Sequence, residues 1–349
     1  MTIGNRITNN ALKADNGKLL IKKALKEIEA EFGWKVNAKN SLFSGVYYDS
    51  AKVGSFIIRA KNIEGAQAVI KLQLYPLAFD EGYIIRHIET QNKSKQIRFP
   101  KIYNDEAWSK NRGYGFLIFE DLSGMPNLWK VGYPVTLREM KNHKKFLNEF
   151  LHHVLPVKPW LPYPTSSPVD YYKEAFKHFN EIATKSSHYH ISQKEIAGYR
   201  DKYFEILEKM TFGKSHFSHA HLSGFDVKYD KKNEQYIVMA NLYWSFRPTY
   251  YEIIFPVWVN LMHIRNENLE FKDFLTIVNK WGDVWKNDLY DHDPTATKEY
   301  WFHFLTRAVL TIMLDLGSSE WKRGEKKSKK ALLNNWKEFF DWLIETKLS

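Results

Sequence analysis

One short polar segment combines side chains that can accept protons and bind metal ions. Residues 219–226 read HAHLSGFD and place His219, His221 and Asp226 close together. A neutral imidazole at His221 can accept a proton near pH 7, because its unperturbed pKa is about 6.5. Asp226 supplies a carboxylate, which is a ligand that Mg²⁺ prefers. The segment is therefore the first candidate for a catalytic loop.

The same stretch carries a second possible chemistry, because HFSHAH contains three imidazoles within six residues. His216, His219 and His221, together with Asp226, are residue types that bind transition metals. Their spacing does not specify such a site, so a transition-metal centre stands as an alternative hypothesis. Metal analysis of the purified protein distinguishes the two interpretations.

Two patterns earlier in the chain also contain candidate functional residues. Lys71 lies inside the apolar run AVIKLQL, and the helical pattern that follows it carries Glu81 and Glu89. Either glutamate can pair with the lysine, and the sequence does not choose between them. Further on, the apolar run GFLIF stops abruptly at Glu120 and Asp121, which indicates a strand that ends in an exposed polar connection.

The hydrophobic patterns divide the chain into a β-rich first part and a helical second part. An amphipathic helical pattern precedes three β-rich runs, VYY, SFIIRA and AVIKLQL, which short polar turns separate. These runs predict an antiparallel meander, followed by a helix and two more strands. Beyond Pro126 the patterns are helical, except for the HAHLSGFD loop and a short hairpin after it. The predicted fold class is α+β.

The order of elements and the motifs AVIK, GFLIFEDLSG, HAHLSGFD and NLYWS together resemble the aminoglycoside phosphotransferase and choline kinase family, over roughly residues 40–260. The resemblance implies a protein-kinase-like fold, with a small antiparallel β lobe and a larger, mainly helical lobe. We expect an N-terminal helical extension at residues 1–39, the β-rich lobe at 40–122 and the helical lobe at 123–349, with the loop region at 216–245.

The resemblance also implies roles for the residues already singled out. Lys71, fixed by Glu81, would hold the phosphates of ATP. The segment Glu120, Asp121 and Leu122 would present backbone groups to the adenine edge. The family often lines its acceptor pocket with acidic residues of the helical lobe, and the candidates for such contacts in this chain are Asp288, Asp291 and Asp293.

This chain departs from the family at the positions that carry the chemistry. His221 stands where the family has its catalytic aspartate, and Asp226 stands at the position of the metal-binding asparagine. Tyr243, in NLYWS, stands where the family has a magnesium-binding aspartate, and a phenol with a pKa of about 10 is a poor ligand for that ion. The turn between the first two strands holds a single glycine, Gly54.

These departures predict a pseudokinase-like protein that binds a nucleotide or a small molecule and is impaired in phosphoryl transfer. Both ATP binding and Mg²⁺ binding are expected to be weakened or lost. The alternative is an atypical ATP-dependent phosphotransferase, in which His221 accepts the proton and Asp226 holds one magnesium ion. Whether the chain is an enzyme is therefore left open by its sequence.

Composition limits the remaining classes of function. The 349 residues carry a formal net charge of +11, but no base-reading motif accompanies it, so nucleic-acid binding is not expected. The absence of cysteine excludes disulfides, thiolate zinc sites and thiol catalysis.

No apolar segment typical of a secretion signal follows Met1, and no stretch approaches a membrane span, so we expect a cytoplasmic protein. Its oligomeric state is not predicted.

Overall fold

The computed structural model describes residues 17–44, 55–74, 81–129, 135–155, 157–160, 167–239, 244–289 and 294–349. The chain divides into two compact units. The first comprises Met1–Pro126 and Lys228–Leu242, and the second comprises Asn127–Val227 and Tyr243–Ser349. The hairpin that follows the HAHLSGFD loop thus groups with the first unit, although the sequence patterns place it in the helical lobe.

The described part of the first unit is built mainly from strands. Its helices are α1 (Gly17–Phe32) and α2 (Glu81–Glu89). Its strands are β1 (Lys35–Ser44), β2 (Ser55–Lys61), β3 (Gln67–Gln73), β4 (Ile97–Arg98), β5 (Ile102–Glu106), β6 (Gly115–Glu120), β8 (Val227–Asp230), which starts at the unit boundary, and β9 (Gln235–Val238).

Five of these strands form an antiparallel sheet in the order β1-β2-β3-β6-β5. The expected meander of the first strands is present, although VYY at residues 46–48 lies outside the described residues. Strand β9 of the hairpin β8-β9 pairs in parallel with β4, which gives a separate small sheet in the order β4-β9-β8. Alternate side chains of a strand point to the same face of its sheet. In β2 these are Phe56, Ile58 and Ala60, which are all buried, so one face of the main sheet is apolar.

Helix α1 covers that buried face of the sheet. Its apolar side chains Ile21, Ala24 and Ile28 recur at helical spacing and pack in the same core cluster as the sheet. Strand β3 contributes Ala68, Ile70 and Leu72 to this core, all fully buried. Because successive side chains of a strand point to opposite faces, Lys71 lies on the face that turns away from α1.

The described part of the second unit is mainly helical. Its helices are α3 (Leu137–His153), α4 (Pro168–Ala183), α5 (Gln193–Lys209), α6 (Tyr251–Met262), α7 (Phe271–Leu289), α8 (Pro294–Leu310) and α9 (Lys326–Lys347). A π-helical turn (Thr311–Asp315) and a 3₁₀ turn (Arg323–Glu325) precede α9. The strands β7 (Ser215–Ser218) and β10 (Ser245–Pro248) form a two-stranded antiparallel sheet that the sequence patterns did not predict.

Aromatic side chains fill the core of the second unit, as their abundance in the sequence predicted. Phe146, Phe150, Trp281 and Trp336 are fully buried examples from three helices. In the described residues, no helix combines the length and the apolar character that crossing a membrane requires.

Candidate functional site

The HAHLSGFD loop lies in the second unit, between β7 and β8, and buried contacts hold its first half. His219 is fully buried and packs its ring against Trp244 at 5.1 Å and Phe150 at 6.1 Å between ring centroids. Ala220 adopts a left-handed backbone conformation with φ of 63°. Such a conformation costs a non-glycine residue roughly 1–2 kcal/mol and often marks a functional loop.

Glu252 of helix α6 fixes this strained residue. Its buried carboxylate accepts a hydrogen bond of 2.7 Å from the backbone N–H of Ala220. Burial raises the pKa of Glu252, and the hydrogen bond from Ala220 opposes that rise. Our sequence interpretation missed Glu252, although an acidic residue alone in the apolar run YYEIIFPVW was a signal that could have identified it.

The second half of the loop brings His221 and Asp226 together. His221 Nδ1 lies 3.9 Å from Asp226 Oδ2, and the His221 side chain is 48% exposed. The backbone N–H and the hydroxyl of Ser223 both donate to Asp226 Oδ2, at 2.9 and 2.6 Å. Both hydrogen bonds within the loop thus go to one oxygen of this carboxylate, Oδ2.

Partial loss of hydration within the loop disfavours the charged form of both side chains, although His221 remains half-exposed. It lowers the pKa of His221, and the charge of Arg307 lowers it further, while Asp226 has the opposite effect. It also raises the pKa of Asp226, against the influence of His221 and Ser223. His221 is consequently neutral at pH 7.

Trp129 packs against the second half of the loop, at Gly224 and Phe225. A side chain at Gly224 would collide with the Trp129 ring, so this position requires glycine for close approach. The Trp129 ring is itself buried and contacts Phe225 at 5.7 Å and His143 at 4.7 Å. No sequence pattern identified Trp129, because 95 residues separate it from Gly224 in the chain.

The histidines of HFSHAH do not converge. His216 is exposed on β7, its neighbour Phe217 is buried on the opposite face, and His219 is enclosed by aromatic rings. Within the described ranges, no group of three or more His, Asp or Glu side chains has the arrangement of a metal site. The geometry gives no support to a transition-metal centre at this position.

In the first unit, Lys71 forms an ion pair with Glu81, the first residue of α2. The pair is largely shielded, with 20% of the lysine side chain and 12% of the glutamate side chain exposed. The alternative partner, Glu89, lies instead in a shallow depression of about 430 Å³ that Arg86 and Arg98 also line. Burial raises the pKa of Glu89, and both arginines oppose that rise.

The side chains of the connecting segment after β6 are occupied by contacts within the first unit. Glu120 forms a bidentate ion pair with Arg98 at 2.7 and 2.8 Å. Asp121 lies 3.3 Å from Arg59 Nε and caps the turn by accepting from the Ser123 N–H. Leu122 is buried, and its backbone N–H donates to no group in the described part of the chain.

Several predicted site residues fall outside what the structure describes. Tyr243, Asp291 and Asp293 lie outside the described residues, as does Gly54. Asp288 belongs to helix α7, but the position of its side chain is not described. The predicted metal and acceptor contacts of these residues therefore remain predictions.

Comparison with known proteins identifies the fold. Neither a protein-family model nor a curated protein sequence matches the chain. Among solved structures, an amicoumacin kinase in complex with AMP-PNP, Ca²⁺ and Ami is similar over 99% of this chain and 98% of its own, with a TM-score of 0.59 and 12% identity. The chain has a protein-kinase-like fold.

Two further kinases support the same conclusion. A microcompartment-associated aminopropanol kinase has a TM-score of 0.58 and 11% identity, over 94% of this chain and 99% of that one. A thermostable mutant of an aminoglycoside phosphotransferase has a TM-score of 0.52 and 12% identity, over 91% and 98%. The predicted resemblance to phosphotransferases and the predicted α+β kinase-like fold are confirmed.

Proposed function

We propose that this protein is a kinase-like nucleotide-binding protein whose capacity for phosphoryl transfer is impaired. The observation that carries the proposal is the shielded ion pair of Lys71 with Glu81. A strand lysine fixed by a helix glutamate is the arrangement with which kinases position a cation for the nucleotide phosphates. A lysine kept only for solubility would lie in the solvent, without a partially buried partner.

The first unit has residues that fit ATP. Lys71 would supply a positive charge to the phosphates, and Glu81 would restrict the lysine to one orientation. The N–H of Leu122, which has no acceptor among the described residues, would donate to the adenine edge, since the side chains of Glu120 and Asp121 are already occupied. Bound ATP would supply the γ-phosphoryl group of the reaction.

The second unit fits magnesium poorly. Asp226 is the carboxylate of the loop, two hydrogen bonds from Ser223 occupy its Oδ2, and burial raises its pKa. The other family position for a metal ligand is Tyr243, whose phenol is a weak ligand for a hard cation. Losing one preorganised electrostatic contact costs roughly 3–4 kcal/mol, or about a hundredfold to a thousandfold in rate.

A thermal-shift titration with ATP, with and without MgCl₂, tests the binding proposal. The unaltered protein should be stabilised by ATP, with little further effect of magnesium. Lys71→Met should weaken ATP binding by about 10–150-fold, since a hydrogen bond to a charged group contributes roughly 1.5–3 kcal/mol. Lys232→Met, in the exposed turn between β8 and β9, is the matched control and should bind ATP normally. Equal ATP affinity in both variants would contradict the role of Lys71.

One observation favours a second candidate, the atypical phosphotransferase. The lowered pKa of His221 keeps its half-exposed imidazole neutral at pH 7, and a neutral imidazole can accept a proton from a hydroxyl group. Under this hypothesis the unaltered protein turns over ATP at a measurable rate. The rate falls as the pH drops below the ordinary pKa range of histidine, and turnover disappears in His221→Ala. His216→Ala, in an exposed histidine of β7, should leave turnover unchanged. Turnover that survives His221→Ala would contradict this second candidate.

A further inference from the structure

Two arginines of the second unit pack against the ring of one tyrosine, Tyr251. The guanidinium of Arg307, on α8, lies 4.9 Å from the ring centroid of Tyr251, and that of Arg247, on β10, lies 5.2 Å from it. Further rings complete the enclosure, with Tyr171 at 5.0 Å from Arg247 and Phe255 at 5.0 Å from Arg307. The two cations are thus brought close to each other in a confined space.

Among the described residues, the side-chain hydrogen bonds of these arginines go to tyrosines, from Arg307 to Tyr251 and from Arg247 to Tyr171. Arg307 is only 7% exposed and donates to the Tyr251 hydroxyl. Arg247 Nε is buried without a hydrogen-bond partner in the described part of the chain. Neither guanidinium has a carboxylate within ion-pair distance among the described residues. A guanidinium has five N–H donors, and burying such a group without a counter-charge is costly.

The surrounding charges do not balance the two arginines. Glu252 acts on Arg247 at longer range, but its carboxylate already holds the Ala220 N–H, and burial raises its pKa. His303 is fully buried, and burial and both arginines lower its pKa, so it is neutral at pH 7. Among the described groups that face Tyr251, positive charge therefore exceeds negative charge.

We infer that Arg247 and Arg307 form an anion subsite, which binds the carboxylate or phosphate group of a small hydroxylated molecule. The planar fork of a guanidinium matches both oxyanions. Arg247 and Tyr171 are each partly exposed to solvent in the described part of the chain.

The position of the subsite connects it to the HAHLSGFD loop. Phe255 contacts the His221 ring at 4.8 Å and the Arg307 guanidinium at 5.0 Å, so the two side chains lie within ~10 Å of each other. A molecule that places its anionic group on the arginines can therefore reach His221 with a hydroxyl group. That the molecule is the phosphoryl acceptor rests on the proposed function, whereas the anion subsite itself does not. A cationic amino alcohol would be repelled at the same place.

Isothermal titration of the full chain without nucleotide, at fixed ionic strength, tests the subsite. The probes are glycerol 3-phosphate, glycerate and choline, which all carry a hydroxyl group and differ in charge. The two anions should bind with dissociation constants in the millimolar range or below, and choline should not bind. Arg247→Gln and Arg307→Gln should each weaken anion binding at least tenfold. Arg265→Gln, in an exposed arginine that pairs with Glu325, should have no effect.

Three results would overturn the inference: no anion binding by the unaltered protein, tighter binding of choline, or unchanged anion binding in folded Arg247→Gln protein. If Arg307→Gln does not fold, Arg247→Lys provides the second measurement, because it keeps the charge and loses the fork. It should weaken glycerol 3-phosphate binding, and full affinity would count against the subsite. Lys71→Met separates this inference from the proposed function, since anion binding should persist there while ATP binding is weakened.

Discussion

Replacing His143 with leucine should change how the stability of the second unit depends on pH. His143, on α3, is fully buried beneath the HAHLSGFD loop, with its ring against Trp129 at 4.7 Å and Trp281 at 5.9 Å. Neither ring nitrogen has a hydrogen-bond partner among the described residues. Burial lowers the pKa of His143 from 6.5 to about 3. The folded protein therefore holds this histidine neutral where the unfolded chain would protonate it.

The sign and size of the effect follow from this difference. Because the folded-state pKa lies below the unfolded value, the stability contribution is complete above pH 6.5 and is lost as the pH falls towards 3. With pKa values of 6.5 and about 3, His143 alone removes roughly 2 kcal/mol between pH 7 and pH 5. At pH 7, His143→Leu should be neutral or stabilising by about 1 kcal/mol, since it removes two buried polar atoms without partners.

Urea unfolding followed by tryptophan fluorescence at pH 7 and pH 5 measures both quantities. His178→Leu, in an exposed histidine of α4, is the matched control and should behave like the unaltered protein. Other buried histidines such as His303 are present in every variant, so their contribution cancels in the comparison. The reasoning is refuted if His143→Leu retains the full pH dependence, or if it loses several kcal/mol at pH 7.

Three further substitutions have expected outcomes in thermal or urea unfolding. Gly224→Ala should destabilise the protein by about 1–3 kcal/mol, because the added methyl group meets the Trp129 ring, and an unchanged midpoint would argue against this packing. Gly198→Ala, inside α5 with open space around it, should stabilise by about 0.5–1 kcal/mol, and a loss of stability would contradict that environment. Glu195→Gln should cost about 0.5–1 kcal/mol at pH 7, because the N–H of Ser192 and then Lys337 lower the pKa of Glu195 to about 2. The difference in free energy of unfolding between the unaltered protein and Glu195→Gln should persist above pH 4.5 and vanish as the pH falls towards 2. A difference that does not depend on pH would show that the carboxylate charge is not responsible.

Local patterns were sufficient to predict much of the first unit. Alternation along β2 and β3 follows from the pleat of a strand, and it assigned Lys71 to a strand before any contact was known. The sequence could not select between Glu81 and Glu89 as the partner of Lys71, because both belong to one short helix. The choice depends on where that helix begins relative to β3, which tertiary packing determines.

The support of the HAHLSGFD loop could not be predicted, because it depends on contacts between distant parts of the chain. Glu252 lies 32 residues from Ala220, and Arg247 lies 60 residues from Arg307. Each of these residues, taken alone, resembles an ordinary charge in a helix or strand. Their significance comes from burial, which removes water and leaves the neighbouring protein groups to satisfy them.

The rate of ATP consumption tests the central claim that nucleotide binding is retained while phosphoryl transfer is impaired. It should be measured under single-turnover conditions in the unaltered protein and in His221→Asp combined with Tyr243→Asp. The account predicts ATP binding in both proteins, slow consumption by the unaltered protein and at least about a hundredfold gain in the double variant. Consumption by the unaltered protein at roughly 1–100 per second, the ordinary range of kinases, would contradict it.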